Sequence, residues 1–129
     1  MNLNRYSLTE LEQRFVNVAA DRGYELGNPL VKICKLSHPA GSVTIYLDRE
    51  RDLRRAIRVK IHPETPVETL EAIEAIQGLS ISPDLYHHAN MSRFPKRLNR
   101  GKKKIHFARV VVCADITAFD RLLKTLAAG

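Results

Sequence analysis

The stretch 42-SVTIYLDRERDLRRAIRVKIH-62 decides the fold. In Ser42–Asp48 the residues Val43, Ile45 and Leu47 alternate with Thr44, Tyr46 and Asp48, and in Ala56–His62 the residues Ile57, Val59 and Ile61 alternate with Arg58, Lys60 and His62. A period of two puts each apolar set on one face of a strand. The two strands therefore share a sheet with one apolar core face and one polar face. Between them Arg49–Arg55 nearly alternates in charge sign and reads as a solvated connection.

Working outward, Val31–Leu36 alternates well enough for a third strand, joined to the first through a turn at His38–Gly41. It is expected at a sheet edge, where Lys32 and Lys35 discourage extension by another chain. Upstream, Leu8, Leu11, Phe15, Val18 and Ala19 recur at helical spacing from about Leu8 to Arg22. Ser7 and Glu10 match a capping box there, and Gly23 supplies a left-handed stop. Downstream, Pro66 suits a first helical turn, Val67, Leu70, Ile73 and Ile76 form a stripe ending at Gly78, and Glu64, Glu68, Glu71 and Glu74 line the outside. Ile105–Ala114 is apolar enough for a central strand. Asp115 then caps a helix whose buried stripe is Ile116, Phe119, Leu122, Leu123 and Leu126. The predicted order is α-β-β-β-α-(long basic loop)-β-α: one α+β domain over residues 1–129, with a four-stranded antiparallel or mixed sheet covered by helices on one face. Residues 79–104 show neither period, and an irregular segment of that length in a compact domain points to function or disorder.

The chain has 129 residues, 44% of them hydrophobic, and a formal charge of +7, a balance that favours anionic partners. That charge is local. Leu85–Ala114 holds eight basic residues and no acidic one, while the other 99 residues carry 13 basic and 14 acidic side chains. Two cysteines, Cys34 and Cys113, in apolar settings read as buried reduced thiols rather than a disulfide framework. Glu10, Glu12 and Arg14 interrupt the N-terminal segment, so it is no secretory signal, and no apolar run suits a membrane span. A cytoplasmic protein with no membrane partner is expected; oligomeric state is left open.

The basic segment 91-MSRFPKRLNRGKKK-104 has seven Lys and Arg among fourteen residues, interleaved with Phe94, Pro95 and Leu98. Clustered cations neutralise adjacent phosphates and release condensed counterions. The expected nucleic-acid-binding residues are Arg93, Lys96, Arg97, Arg100, Lys102, Lys103 and Lys104, helped by Arg58, Lys60 and Arg109, with Phe94 and Tyr46 available for base stacking. For Phe94 the preferred reading is the anchor that ties the loop to the core, with stacking as the alternative.

Catalytic readings are weaker. His62, His87, His88 and His106 are the residues around which a small nuclease or hydrolase would be built, but adjacent histidines in an extended segment point to opposite faces. A restriction-type metal site wants an acidic residue two positions before the strand lysine, and Arg58 stands there before Lys60. No catalytic residue, metal or cofactor is expected.

The segments IYLDRE, IRVKIHP and FPKRLNRGKKKIHFA, followed by an apolar strand and a C-terminal helix, resemble a family of small uncharacterised bacterial cytoplasmic proteins and restriction-associated domains. The resemblance spans about Ser42 to Leu126, with Asp48, Arg49, Ile61, His62, Pro63, Arg100 and Gly101 at its motif positions. It implies a fold more than an activity. The function expected is a non-catalytic accessory or regulatory module that binds nucleic acid, DNA in particular, through phosphates. The alternative is a protein-interaction module, such as an inhibitor or accessory subunit, that docks on an acidic partner.

Overall fold

The two strands of the quoted stretch lie inside a larger antiparallel sheet. A computed structural model describes residues 7–40, 42–99, 101 and 103–128. Among these the order is α1 (Glu10–Asp21), β1 (Glu25–Leu26), β2 (Ile33–His38), β3 (Val43–Asp48), β4 (Ile57–Ile61), α2 (Val67–Glu74), β5 (Leu79–His87), β6 (Lys96–Leu98), β7 (Lys104–Cys113) and α3 (Ile116–Ala128). The strands run β1-β2-β3-β4-β7-β5 across the sheet, every pair antiparallel, and β6 pairs with the beginning of β7.

The α+β class holds, but the sheet has seven strands rather than four among the described residues. The additional strands are β1, β5 and β6. β1 is only two residues long, too short to show a period. It pairs with β2 and takes the edge position expected for Val31–Leu36. β5 shows no sustained period because Ser82, Pro83 and Asp84 break its alternation and form a bulge: Ile81 pairs with Val111 and Leu85 with Arg109. A proline lacks the ladder N–H and is tolerated at an edge or a bulge, and β5 is both. β6 is exposed throughout, so it buries no apolar face that could signal a strand.

The face predicted to be apolar is the main core. Cys34, Leu36, Ile45, Leu47, Ile57, Val59, Ile61, Val111 and Cys113 pack beneath Phe15, Ala19, Ile73, Phe119, Leu122 and Leu123 of the three helices. The α1 cap is Thr9, not Ser7. Its hydroxyl accepts from the Glu12 N–H while the Glu12 carboxylate accepts from the Thr9 N–H, at 3.0 and 2.9 Å. Gly23, at φ +90°, ends the helix beside the His38 ring, in a backbone conformation that a side chain would strain. Asp115 caps α3 as expected, accepting from the Ala118 N–H at 2.8 Å.

The opposite face is not simply polar. Ile33, Tyr46 and Ala108 form a second, smaller core closed by Met91 and Phe94 from residues 88–95. That segment makes two successive turns, with the Met91 N–H on the His88 carbonyl and the Phe94 N–H on the Met91 carbonyl. Each end is tied to β7, through the His88 N–H to His106 and the Phe107 N–H to Pro95. The expected irregular loop over 79–104 is therefore a strand, a cover for the second face and a short hairpin strand.

Candidate nucleic-acid interface

The cations of the basic segment divide by position along β6 and β7. Leu98 pairs with Lys104, Arg97 with Ile105 and Lys96 with His106. β5 last pairs with β7 at Phe107 and β4 at Arg109, so the pairs at Lys104 and Ile105 are two-stranded only. Strand alternation puts Lys96, Leu98 and Lys104 on one face of this ribbon and Arg97 and Ile105 on the other. Arg93, Lys96, Arg97, Lys103 and Lys104 are all exposed. Arg100 and Lys102 lie outside the described residues.

Ion pairing does not reach this ribbon among the described residues. Four ion pairs form among the described residues: Arg22–Asp120, Arg49–Glu12, Arg54–Asp52 and Lys60–Asp48. None involves the ribbon. Arg97 is positioned by neutral groups, with its Nε donating to His87 Nε2 at 2.9 Å and its guanidinium 5.0 Å from the centre of the Phe107 ring. Arg93 is held through its backbone, whose N–H donates to the Tyr46 hydroxyl at 3.3 Å. Its side chain lines a cleft of about 370 Å³ with Thr44, His62, Thr69 and Phe94.

Three residues expected at the interface are buried instead. Lys60 is fully buried, with its ammonium 2.6 Å from the Asp48 carboxylate and 4.2 Å from the centre of the Tyr86 ring. Loss of hydration pushes its pKa down against the opposing pull of Asp48. Tyr46 and Phe94 are also buried and meet edge to face at 5.0 Å, so Phe94 is the anchor and neither ring is presented for base stacking. The polar phase of β3 and β4 predicted exposure for Tyr46 and Lys60, but residues 88–95 fold over Tyr46, and Asp48 and the Tyr86 ring enclose Lys60.

Nor do the remaining helpers join the ribbon in one patch. Arg58 pairs with Val112 and Ile61 with Arg109, so Arg58 and Arg109 project from opposite sheet faces. Arg58 shares a face with Lys104 but lies opposite the far end of β7. At about 3.4 Å per residue, the eight positions from Lys104 to Val112 span roughly 27 Å. Arg58 and Arg109 each bury the guanidinium Nε with no hydrogen-bond partner among the described residues.

A comparison with protein families, curated proteins and solved structures finds no match. The Asp48–Arg49 pair nevertheless has a structural use in this chain. Asp48 holds Lys60, while Arg49 grips Glu12 at 3.0 Å and also donates to the Leu30 and Ser7 carbonyls. Arg49 was expected in a solvated connection, yet it is buried and fastens α1 to the sheet. Sequence reading missed it because the neighbouring charges mask one buried guanidinium.

The four histidines do not converge on one another. His62 Nδ1 accepts from the Glu64 N–H, and its ring meets Phe94 at 5.4 Å. His106 Nδ1 contacts the Phe94 carbonyl at 2.6 Å. His88 Nδ1 accepts from the Asn90 N–H, and His87 receives Arg97 on the other sheet face. Among the described residues no three His, Cys, Asp or Glu side chains converge with metal-binding geometry. Cys34 and Cys113 are free and buried, and burial pushes their thiols up to about 11 and about 12. No helix among the described residues is long and apolar enough to cross a membrane.

Proposed function

We propose that this chain is a nucleic-acid-binding accessory or regulatory module whose contact element is the β6–β7 ribbon. The observation that carries this reading is clustering: Lys96, Lys103 and Lys104 are exposed on one short element, within a stretch, Leu85–Ala114, that holds no acidic residue, and they take part in no ion pair among the described residues. Unpaired, hydrated cations on one short element suit phosphate neutralisation by counterion release. Two side chains of the second core, Met91 and Phe94, fix the base of the ribbon, so little order has to be acquired on binding. A cytoplasmic setting agrees with two reduced, buried thiols.

The test is a fluorescence titration of labelled DNA at several salt concentrations. Each phosphate contact contributes about 0.9 to the slope of log affinity against log salt. Replacing Lys96, Lys103 and Lys104 together by Gln is expected to reduce that slope by roughly 2 to 3. Absence of salt-sensitive binding to either duplex or single strands at low salt would remove the proposal.

A second reading, docking on an acidic protein, is favoured by Leu98, a large apolar side chain 56% exposed among the cations. Recovery of one stoichiometric protein partner, unaffected by nuclease and lost in the same triple variant, supports that reading instead.

A further inference from the structure

The same ribbon has features that choose among nucleic acids. Single strands are gripped by stacking bases on presented aromatic rings. Here Tyr46 and Phe94 are buried, Phe107 is flanked by His87 and Arg97, and Tyr86 hydrogen-bonds Glu50 beneath the Lys60 ammonium. No described Phe or Tyr is fully exposed. The basic element itself narrows to two strands at Arg97–Leu98 and Lys104–Ile105. A two-stranded ribbon enters the B-DNA major groove, about 12 Å wide. The major groove of A-form RNA is too deep and narrow for it.

Leu98 is the second independent feature. It lies directly across from Lys104 and two residues beyond Lys96, so one ribbon face carries an exposed apolar side chain between two cations. Cations reach phosphates, while an apolar side chain at base-edge depth meets the thymine 5-methyl group, which lies in the major groove.

Granting the nucleic-acid reading on which it rests, we propose that the β6–β7 ribbon enters the major groove of duplex DNA. In that placement Leu98 lies against thymine methyl groups, and Lys96 and Lys104 contact the flanking phosphates. The contact is weakly selective for sequence, because one methyl contact and no bidentate base pairing define it.

The experiment uses the full chain and four probes at one salt concentration: a DNA duplex rich in thymine, the same duplex with uracil in place of thymine, its single strand, and the corresponding RNA duplex. Wild type is expected to bind the thymine duplex at least tenfold more tightly than the single strand or the RNA. It should lose about fourfold on the uracil duplex, the worth of one buried methyl group. Leu98→Ala, at an exposed site that spares the fold, should bind the thymine and uracil duplexes equally. Equal wild-type affinity for thymine and uracil duplexes, or tighter binding to the single strand or RNA, overturns the groove placement and leaves nucleic-acid binding standing. No binding to any of the four probes removes both.

Discussion

Lys60 shows how one neighbour can reverse the meaning of a residue. By alternation it belongs with Arg58 and His62 on a polar face, yet Asp48 and the Tyr86 ring enclose it. Removing one member of a buried ion pair leaves the other charge uncompensated, at a cost of about 3–5 kcal/mol. Asp48→Asn or Lys60→Met alone should show that loss in urea unfolding, and Asp48→Leu with Lys60→Met should restore much of it. The double variant should also keep wild-type affinity for DNA, since Lys60 is not at the surface. His88 and His87 give a pH signature. Burial lowers both pKa values, with Lys32 and Lys60 adding to the effect at His88 against Glu50, and Arg97 adding to it at His87. The unfolded chain then binds more protons than the folded one below about pH 6.5, so stability rises with pH through that window and falls on acidification. Replacing both histidines by Gln should flatten urea midpoints between pH 5 and pH 7; an unchanged profile would assign the acid sensitivity elsewhere.

Among the elements, the helices were the most legible, because Phe15, Val18 and Ala19, or Phe119, Leu122 and Leu123, repeat at a period that only one structure satisfies. Their ends were less so. Two neighbouring hydroxyls precede α1, and both stand three residues before a glutamate. Thr9→Ala should therefore cost about 1 kcal/mol and Ser7→Ala nearly nothing, measured by thermal or urea unfolding. β5 and β6 escaped the pattern for opposite reasons: a proline bulge interrupts one, and the other buries no face. Residues 88–95 were illegible as a cover because Met91 and Phe94 are separated by neither a strand nor a sustained helical period. Phe94→Ala should cost about 3–5 kcal/mol and expose the segment to protease ahead of the rest of the chain.

For the whole molecule, the charge count located the candidate site without geometry, since the excess of positive charge lies in one interval of the chain. What the count could not supply was direction. Arg58, Lys60 and Arg109 are near the basic segment in composition, but the register sends one to a distant end, one inward and one to the opposite face. Electrostatic attraction should accordingly be directional, with association rates that fall with salt in wild type and much less after the triple Gln substitution, as stopped-flow mixing would show.

β7 is the common partner of β4, β5 and β6. These three strands precede it in the chain, so during synthesis each leaves the ribosome before the strand that will hold it. A nascent chain ending before Lys104 displays unpaired backbone from all three at once, the state most prone to join another chain edge to edge. The strands β1 to β4, neighbours in both chain and sheet, can pair as they emerge, but β5 and β6 join the sheet only through β7, so a translational pause exposes them least once β7 has emerged.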